Sequence, residues 1–191
     1  SWGMDGNLCL WDINAQLSNT NDGHSDWVRG VTLMRDDRLL SWSKDTTSCI
    51  WDIEGNLMAR LYGHSEPIIG AYELHNSNIL TWSEDKTLRL WDKFGNEITT
   101  LSGHTDWILG AKELEDGDLL SWSSDGTIIL WDLSNKSKLL LVGHTQTVWG
   151  AKELQDKRIL SWSSDETLRI WDREGMLIYT LESHKGTVKD A

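Results

Sequence analysis

Proline occurs once in the 191 residues, cysteine twice, and no run of eighteen apolar residues exists. The last absence excludes a membrane-spanning helix. No basic and apolar N-terminal stretch is present, so no secretory signal is visible. The cysteines, Cys9 and Cys49, sit 40 residues apart at the same place in successive repeats and have no CxxC spacing. That pattern argues against a disulfide or metal framework, and a reducing, cytoplasmic compartment is the expectation. Asn135-Lys136-Ser137 matches a glycosylation acceptor, expected to stay unused without a secretory context. Basic residues are also scarce, with 18 Lys and Arg against 30 Asp and Glu, a net charge of −12 and no basic cluster longer than two. A chain of that balance repels a phosphate backbone, so no nucleic-acid partner is expected. An acidic surface favours basic partners without naming one.

What the chain has instead is tryptophan and repetition. Trp11-Asp12, Trp51-Asp52, Trp91-Asp92, Trp131-Asp132 and Trp171-Asp172 recur at a period of 40 residues. Gly23-His24, Gly63-His64, Gly103-His104 and Gly143-His144 keep the same period, and Ser183-His184 is the fifth copy. The repeats run 23–62, 63–102, 103–142 and 143–182, with partial repeats at 1–22 and 183–191, and together form one segment, 1–191. A 40-residue period with these landmarks resembles the WD-repeat family. The resemblance spans the whole chain, and its regularity is similar to bacterial WD-repeat arrays, which often form the recognition end of larger signalling proteins. It implies an all-β propeller of four-stranded blades, about five in this chain, possibly a fragment of a larger ring.

The residues support four strands per repeat without that help. In the third repeat, 107–112 reads as an inner strand, 119–123 as a second, 127–131 as a third and 139–142 as an outer one. Asp116-Gly117-Asp118, Ser124-Asp125-Gly126 and Ser134-Asn135-Lys136 supply the turns. No helical period competes. The single proline, Pro67, stands at the start of an inner strand, where it is tolerated.

Each repeat carries His, Ser or Thr, Asp and Trp at fixed spacing: His24/Ser41/Asp45/Trp51, His64/Thr81/Asp85/Trp91, His104/Ser121/Asp125/Trp131 and His144/Ser161/Asp165/Trp171. Ser, His and Asp together evoke a hydrolytic triad. A catalyst needs one activated nucleophile in one cleft, however, and this set recurs once per structural unit. The set resembles the WD family's hydrogen-bond tetrad, in which indole, hydroxyl, imidazole and carboxylate satisfy one another in a buried chain. Joining the chain ends would complete a fifth set from His184, Ser1, Asp5 and Trp11, although a closed ring of five repeats would need nine residues more than the chain has. An open array exposes a blade face and strand edges, so self-association through open ends is a further expectation. One histidine per blade gives no metal-ligand spacing, and neither a metal, a cofactor nor a catalytic residue is expected.

A second column, Trp2, Trp42, Trp82, Trp122 and Trp162, is displaced by one residue from the tetrad hydroxyl. It therefore faces the other side of the strand, toward the next blade. These two columns account for ten of the 13 tryptophans. Trp27, Trp107 and Trp149 remain, at positions that vary between repeats. Three residues after each His come Trp27, Pro67, Trp107, Thr147 and Thr187, and five after come Arg29, Ile69, Leu109, Trp149 and Lys189. The residue before the tetrad Asp is Met4, Lys44, Glu84, Ser124 or Ser164. The resemblance implies that these positions line the narrow end of a propeller, where partners dock. Exposed Trp and Arg are favoured anchors; the plainer alternative is that the rings plug the channel mouth. The expected function is a non-catalytic protein- or peptide-binding scaffold, with a structural spacer or a small-ligand or glycan-binding propeller as alternatives. A ligand site repeated in every blade would need the same exposed residues in each, and these differ.

Overall fold

The structure, a computed structural model, describes residues 1–11, 14, 17–21, 23–182 and 184–191, with the backbone alone at 11 and 17–21. The described residues form strands and turns with no helix. Contacts divide the chain at a repeat boundary into two compact units, Ser1–Ser102 and Gly103–Ala191, and each is described by itself.

The first unit begins with a two-stranded pair, β1 (Leu8–Trp11) and β2 (Leu17–Asn21). Two four-stranded antiparallel blades follow. One is β3 (Val28–Leu33), β4 (Leu39–Ser43), β5 (Ser48–Trp51) and β6 (Leu57–Leu61). The other is β7 (Ile68–Glu73), β8 (Ile79–Ser83), β9 (Thr87–Trp91) and β10 (Glu97–Ser102). The second unit holds two more blades. The first is β11 (Ile108–Glu113), β12 (Leu119–Ser123), β13 (Thr127–Asp132) and β14 (Ser137–Val142). The second is β15 (Val148–Glu153), β16 (Ile159–Ser163), β17 (Leu168–Trp171) and β18 (Leu177–Leu181). In the third repeat, the expected strands match the observed ones to within two residues.

Sequential strands pair because each turn is chemically specified. Between the first two strands of a blade, a residue with positive φ closes the hairpin: Asp37, Ser77, Gly117 or Lys157. The preceding Asp or Asn accepts a backbone N–H two residues on, as Asn78 N donates to Asn76 Oδ1 at 3.0 Å. The Asp of a Trp-Asp pair also ties a turn: Asp52 accepts from Asn56 N at 2.7 Å, and Asp92 from Asn96 N at 2.9 Å.

The blades of each unit pack through one apolar core. In the first unit, Met34, Leu40, Ile50 and Leu61 meet Ala71, Ile79 and Trp91 of the next blade. In the second, Leu114, Leu120, Ile128 and Leu141 meet Val148, Ala151, Ile159 and Trp171. Each such buried aliphatic side chain contributes roughly 1.5–3 kcal/mol. The second tryptophan column takes part in this packing. Trp42 and Trp122 lie against these cores, and Trp42 Nε1 donates across to Ile69 O at 3.1 Å. Trp162 Nε1 likewise donates to Lys189 O at 3.0 Å. The column is not uniform, for Trp2 is exposed.

The invariant glycine of each inner strand makes room for that indole. A Cβ on Gly30, Gly70, Gly110 or Gly150 would stand 2.0–2.2 Å from the ring of the tryptophan paired with it on the second strand. Glycine here reflects the blade's own tryptophan rather than crowding between strands at an axis. The pairing also slips by one residue immediately before each of these glycines. The extra residue of this bulge is Arg29, Ile69, Leu109 or Trp149, one of the variable positions. Bulges re-aim side chains and recur beside functional sites.

Candidate interaction surface

The tetrads are the most ordered polar feature of the four blades. Trp51 Nε1 donates to Ser41 Oγ at 2.8 Å, Ser41 Oγ lies 2.8 Å from His24 Nε2, and His24 Nδ1 lies 2.9 Å from Asp45 Oδ2. The same chain runs through Trp91, Thr81, His64 and Asp85, with distances of 2.7–2.9 Å. It recurs through Trp131, Ser121, His104 and Asp125 at 2.8–3.1 Å, and through Trp171, Ser161, His144 and Asp165 at 2.8–2.9 Å. A proton on Nδ1 of each imidazole lets every donor in the chain find an acceptor.

The sequence reasoning missed two members of this network. A threonine two residues after each Asp donates to its second oxygen, as Thr47 Oγ1 does to Asp45 Oδ1 at 2.7 Å; Thr87, Thr127 and Thr167 repeat the contact. The second serine of each Ser-Trp-Ser or Thr-Trp-Ser triplet receives the Asp backbone N–H and donates to the loop after the His. Ser123 Oγ thus lies 3.1 Å from both Asp125 N and Asp106 O. Both residues recur at the 40-residue period, and that was the available signal.

Electrostatics follow from the contacts. Burial raises the pKa of each tetrad Asp, but the hydrogen bonds it accepts outweigh burial and hold Asp45, Asp85 and Asp125 well below the usual carboxylate range. Asp165 is lowered to about 2 by the same balance, with Thr167 and His144 donating. Burial lowers His144, against the pull of Asp165. The hydroxyls of Ser41, Thr81, Ser121 and Ser161 are wholly buried and already hold an indole donor. The spacing is that of a triad, but no reacting carbon can approach the oxygen. Cys49 is a free, buried thiol that burial pushes up to about 12, and Cys9 is also free.

The fifth set draws His184 from the second unit and Ser1, Asp5 and Trp11 from the first. His184 is exposed, and residues 184–191 contribute no strand to carry partners for it. Asp5 instead accepts from Asn7, through the backbone at 3.1 Å and the side chain at 2.9 Å, and the Ser1 ammonium donates to Cys9 O. The side chain of Trp11 and the residues Asp12 and Ser183 lie outside the described residues.

The variable positions gather at one end of each blade because the chain ties them there. Lys44 N donates to Trp27 O, Glu84 N to Pro67 O, Ser124 N to Trp107 O and Ser164 N to Thr147 O, all at 2.9–3.0 Å. Trp27, Trp107 and Trp149 are 40%, 49% and 41% exposed, whereas the tetrad indoles Trp51, Trp91, Trp131 and Trp171 are at most 4% exposed. In the first unit, Arg29 donates to Glu84 Oε1 at 2.7 Å across two blades, and Lys44 lies 3.9 Å from Asp26. The expected cationic anchors are therefore each paired with a carboxylate. Ile69 and Pro67 are half-buried beside them. In the second unit, Trp149 Nε1 donates to Ser164 Oγ at 2.7 Å, and the Lys189 ammonium sits 6.0 Å from its ring centre. Leu109 and Thr147 are half-buried.

These features define a class, the repeat propeller blade stapled by a buried tetrad, and comparison with known proteins agrees. The family model described as "WD domain, G-beta repeat" matches residues 95–132 and 135–172. The solved WD40 beta propeller domain of Doa1 is similar at 30% identity with a TM-score of 0.72, over 95% of this chain and 63% of that one. This chain thus spans less than two thirds of that domain's chain. No curated protein sequence matches significantly. Both matches support a WD-repeat β-propeller, a kind of domain that serves generally as a non-catalytic interaction scaffold.

Proposed function

We propose that this chain is a non-catalytic protein- or peptide-binding scaffold that docks its partner on the variable ends of its blades. Trp27, Arg29, Lys44, Pro67, Ile69 and Glu84 supply such ends in the first unit, and Trp107, Leu109, Thr147 and Trp149 supply them in the second. One observation carries the reading. The only tryptophans that the repeat does not require are the ones left 40–49% exposed on inner-strand ends. A large ring held partly in water, as Trp27 and Trp107 are just before an inner strand and Trp149 is at its bulge, gains most from burial against a partner. The net charge of −12 favours a partner with basic residues at its rim. A recognition role within a larger signalling protein, in a bacterial cytoplasm, fits the regular repeat and the free thiols.

The test is binding of arrayed peptides, Lys/Arg-rich against Glu/Asp-rich, to the whole chain and to a Trp107→Ala/Trp149→Ala variant. The proposal expects binding biased toward basic peptides, lost in the variant while its melting temperature stays close to wild type. A variant that unfolds makes the rings structural plugs. A folded variant that binds as before moves the interface elsewhere, and no binding at all favours a spacer.

A further inference from the structure

Two of the three exposed tryptophans have a lysine of the chain beside them, and the third has none. In the first unit, Trp27 N donates to Asp26 Oδ1 at 2.7 Å. The other oxygen of that carboxylate lies 3.9 Å from the Lys44 ammonium. In the second unit, the Lys189 ammonium sits 6.0 Å from the Trp149 ring centre. Trp107 is the most exposed of the three, at 49%. Its N–H donates to Asp106 Oδ1 at 2.9 Å, repeating the Asp26–Trp27 corner, but Ser124 stands in the place of Lys44. Ser124 N donates to Trp107 O at 3.0 Å as Lys44 N does to Trp27 O at 2.9 Å, so the two corners share one backbone arrangement. Among the described residues, no cation lies within ion-pair distance of Asp106 or over the Trp107 ring.

We propose that the Asp106–Trp107 corner is a seat for a lysine side chain of a peptide partner. The inference rests on the reading of the blade ends as docking surfaces and names what this one takes. The occupant follows from the repeats themselves. The chain sets an ammonium against the carboxylate at one tryptophan and over the ring at another. The corner at Trp107 offers both a carboxylate and a ring, and no ammonium of the chain fills it. An ammonium donates to a carboxylate in a charge-assisted bond and is drawn to the face of an indole. A neutral side chain gains neither, and an acidic one is repelled by Asp106. The corner is also fixed before anything binds. Asp106 O accepts from Ser123 Oγ at 3.1 Å, and Trp107 is held through both its N–H and its carbonyl, so little freedom is lost on binding. The net charge of −12 steers a cation toward the chain.

The test titrates the whole chain with N-acetyl-lysine methylamide and, separately, with its arginine and uncharged norleucine counterparts, following the indole N–H resonances. The expected result is a saturable shift of the Trp107 resonance with the lysine compound and none with norleucine. Asp106→Asn keeps an oxygen for the Trp107 N–H and should weaken binding roughly two- to fivefold, the range of an exposed ion pair. Ser124→Lys gives this corner the lysine that the Trp27 corner has, and should block the shift. Lys44→Ser should open a second seat, read at the Trp27 resonance. An equal response to norleucine, tighter binding of the arginine compound, or an Asp106→Asn chain that binds as wild type overturns the proposal. So does a Ser124→Lys chain that still binds, which decides the matter if Asp106→Asn fails to fold. The scaffold reading survives such a failure if arrayed peptides still lose binding with Trp107→Ala/Trp149→Ala, and falls with it only if no peptide binds at all.

Discussion

The interior of a blade and its variable end lie only a few residues apart in sequence, yet opposite rules govern them. His104 is buried and bound on both ring nitrogens; three residues on, Trp107 is half in water. In the interior every polar atom of the tetrad has a partner, and the same solution recurs four times with distances that vary by a few tenths of an ångström. At the blade ends no two repeats carry the same set of residues, and the contacts join residues far apart, such as Arg29 to Glu84. A position that repeats is answering a demand of the blade. A position that varies is free of that demand, and a costly residue there answers to something outside the blade.

Substitutions should separate the two regions sharply. The largest effect is expected for Trp171→Ala, which removes a buried ring and the donor to Ser161; truncating a buried tryptophan costs about 3–5 kcal/mol. Gly110→Ala should follow at about 1–3 kcal/mol, because its Cβ would overlap the Trp122 ring and force it to move. Asp125→Ala should cost about 1–3 kcal/mol, since His104, Thr127 and the Thr105 backbone lose their acceptor. Denaturant melts read all three, and an effect on binding without loss of stability would break the comparison.

Acid should expose the same interior. The tetrad carboxylates have folded pKa values below their unfolded ones. Their contribution is therefore present above the unfolded value, about 3.9, and is lost as pH falls through the folded value, which is about 2 for Asp165. His144 is lowered by burial, so its contribution is present above about 6.5 and declines below it. Net charge also changes over this range, so the useful quantity is the stability difference between wild type and Asp165→Asn. Loss of the Asp165 carboxylate also removes the pull that raises His144, so the difference reports the carboxylate only below about pH 4, the unfolded value, where it should shrink toward the folded value of about 2. A difference that persists unchanged to the folded value would contradict the assignment. The smallest effect is expected in a turn: Lys86 holds a φ of 71°, and Lys86→Gly should stabilise the blade by at most about 1 kcal/mol.

The strands, the four tetrads and the packing tryptophans were legible because they recur at one period. The roles of Thr127 and Ser123 were legible too, at the same period, but no hydroxyl chemistry drew attention to them once the four-member chain was complete. The bulge at Arg29, Ile69, Leu109 and Trp149 was not legible, since it arises from the fit of Gly30 and its equivalents against an indole on another strand. The Arg29–Glu84 pair and the Trp42 bond to the Ile69 carbonyl join different blades. A repeat pattern shows what each blade contains but not which of its side chains reach the next one. The fifth set was legible only as residue types: they are divided between the two units, where His184 is exposed and Asp5 is held by Asn7.

The central claim is that the repeated polar set holds the fold and the unrepeated tryptophans do not. Urea unfolding of Asp125→Ala beside Trp149→Ala tests it most directly. The account predicts a midpoint lowered by the equivalent of about 1–3 kcal/mol for Asp125→Ala and a shift within about 0.5 kcal/mol for Trp149→Ala, as for other surface substitutions. Overlaid curves for Asp125→Ala and wild type, or a larger loss from Trp149→Ala than from Asp125→Ala, would contradict it.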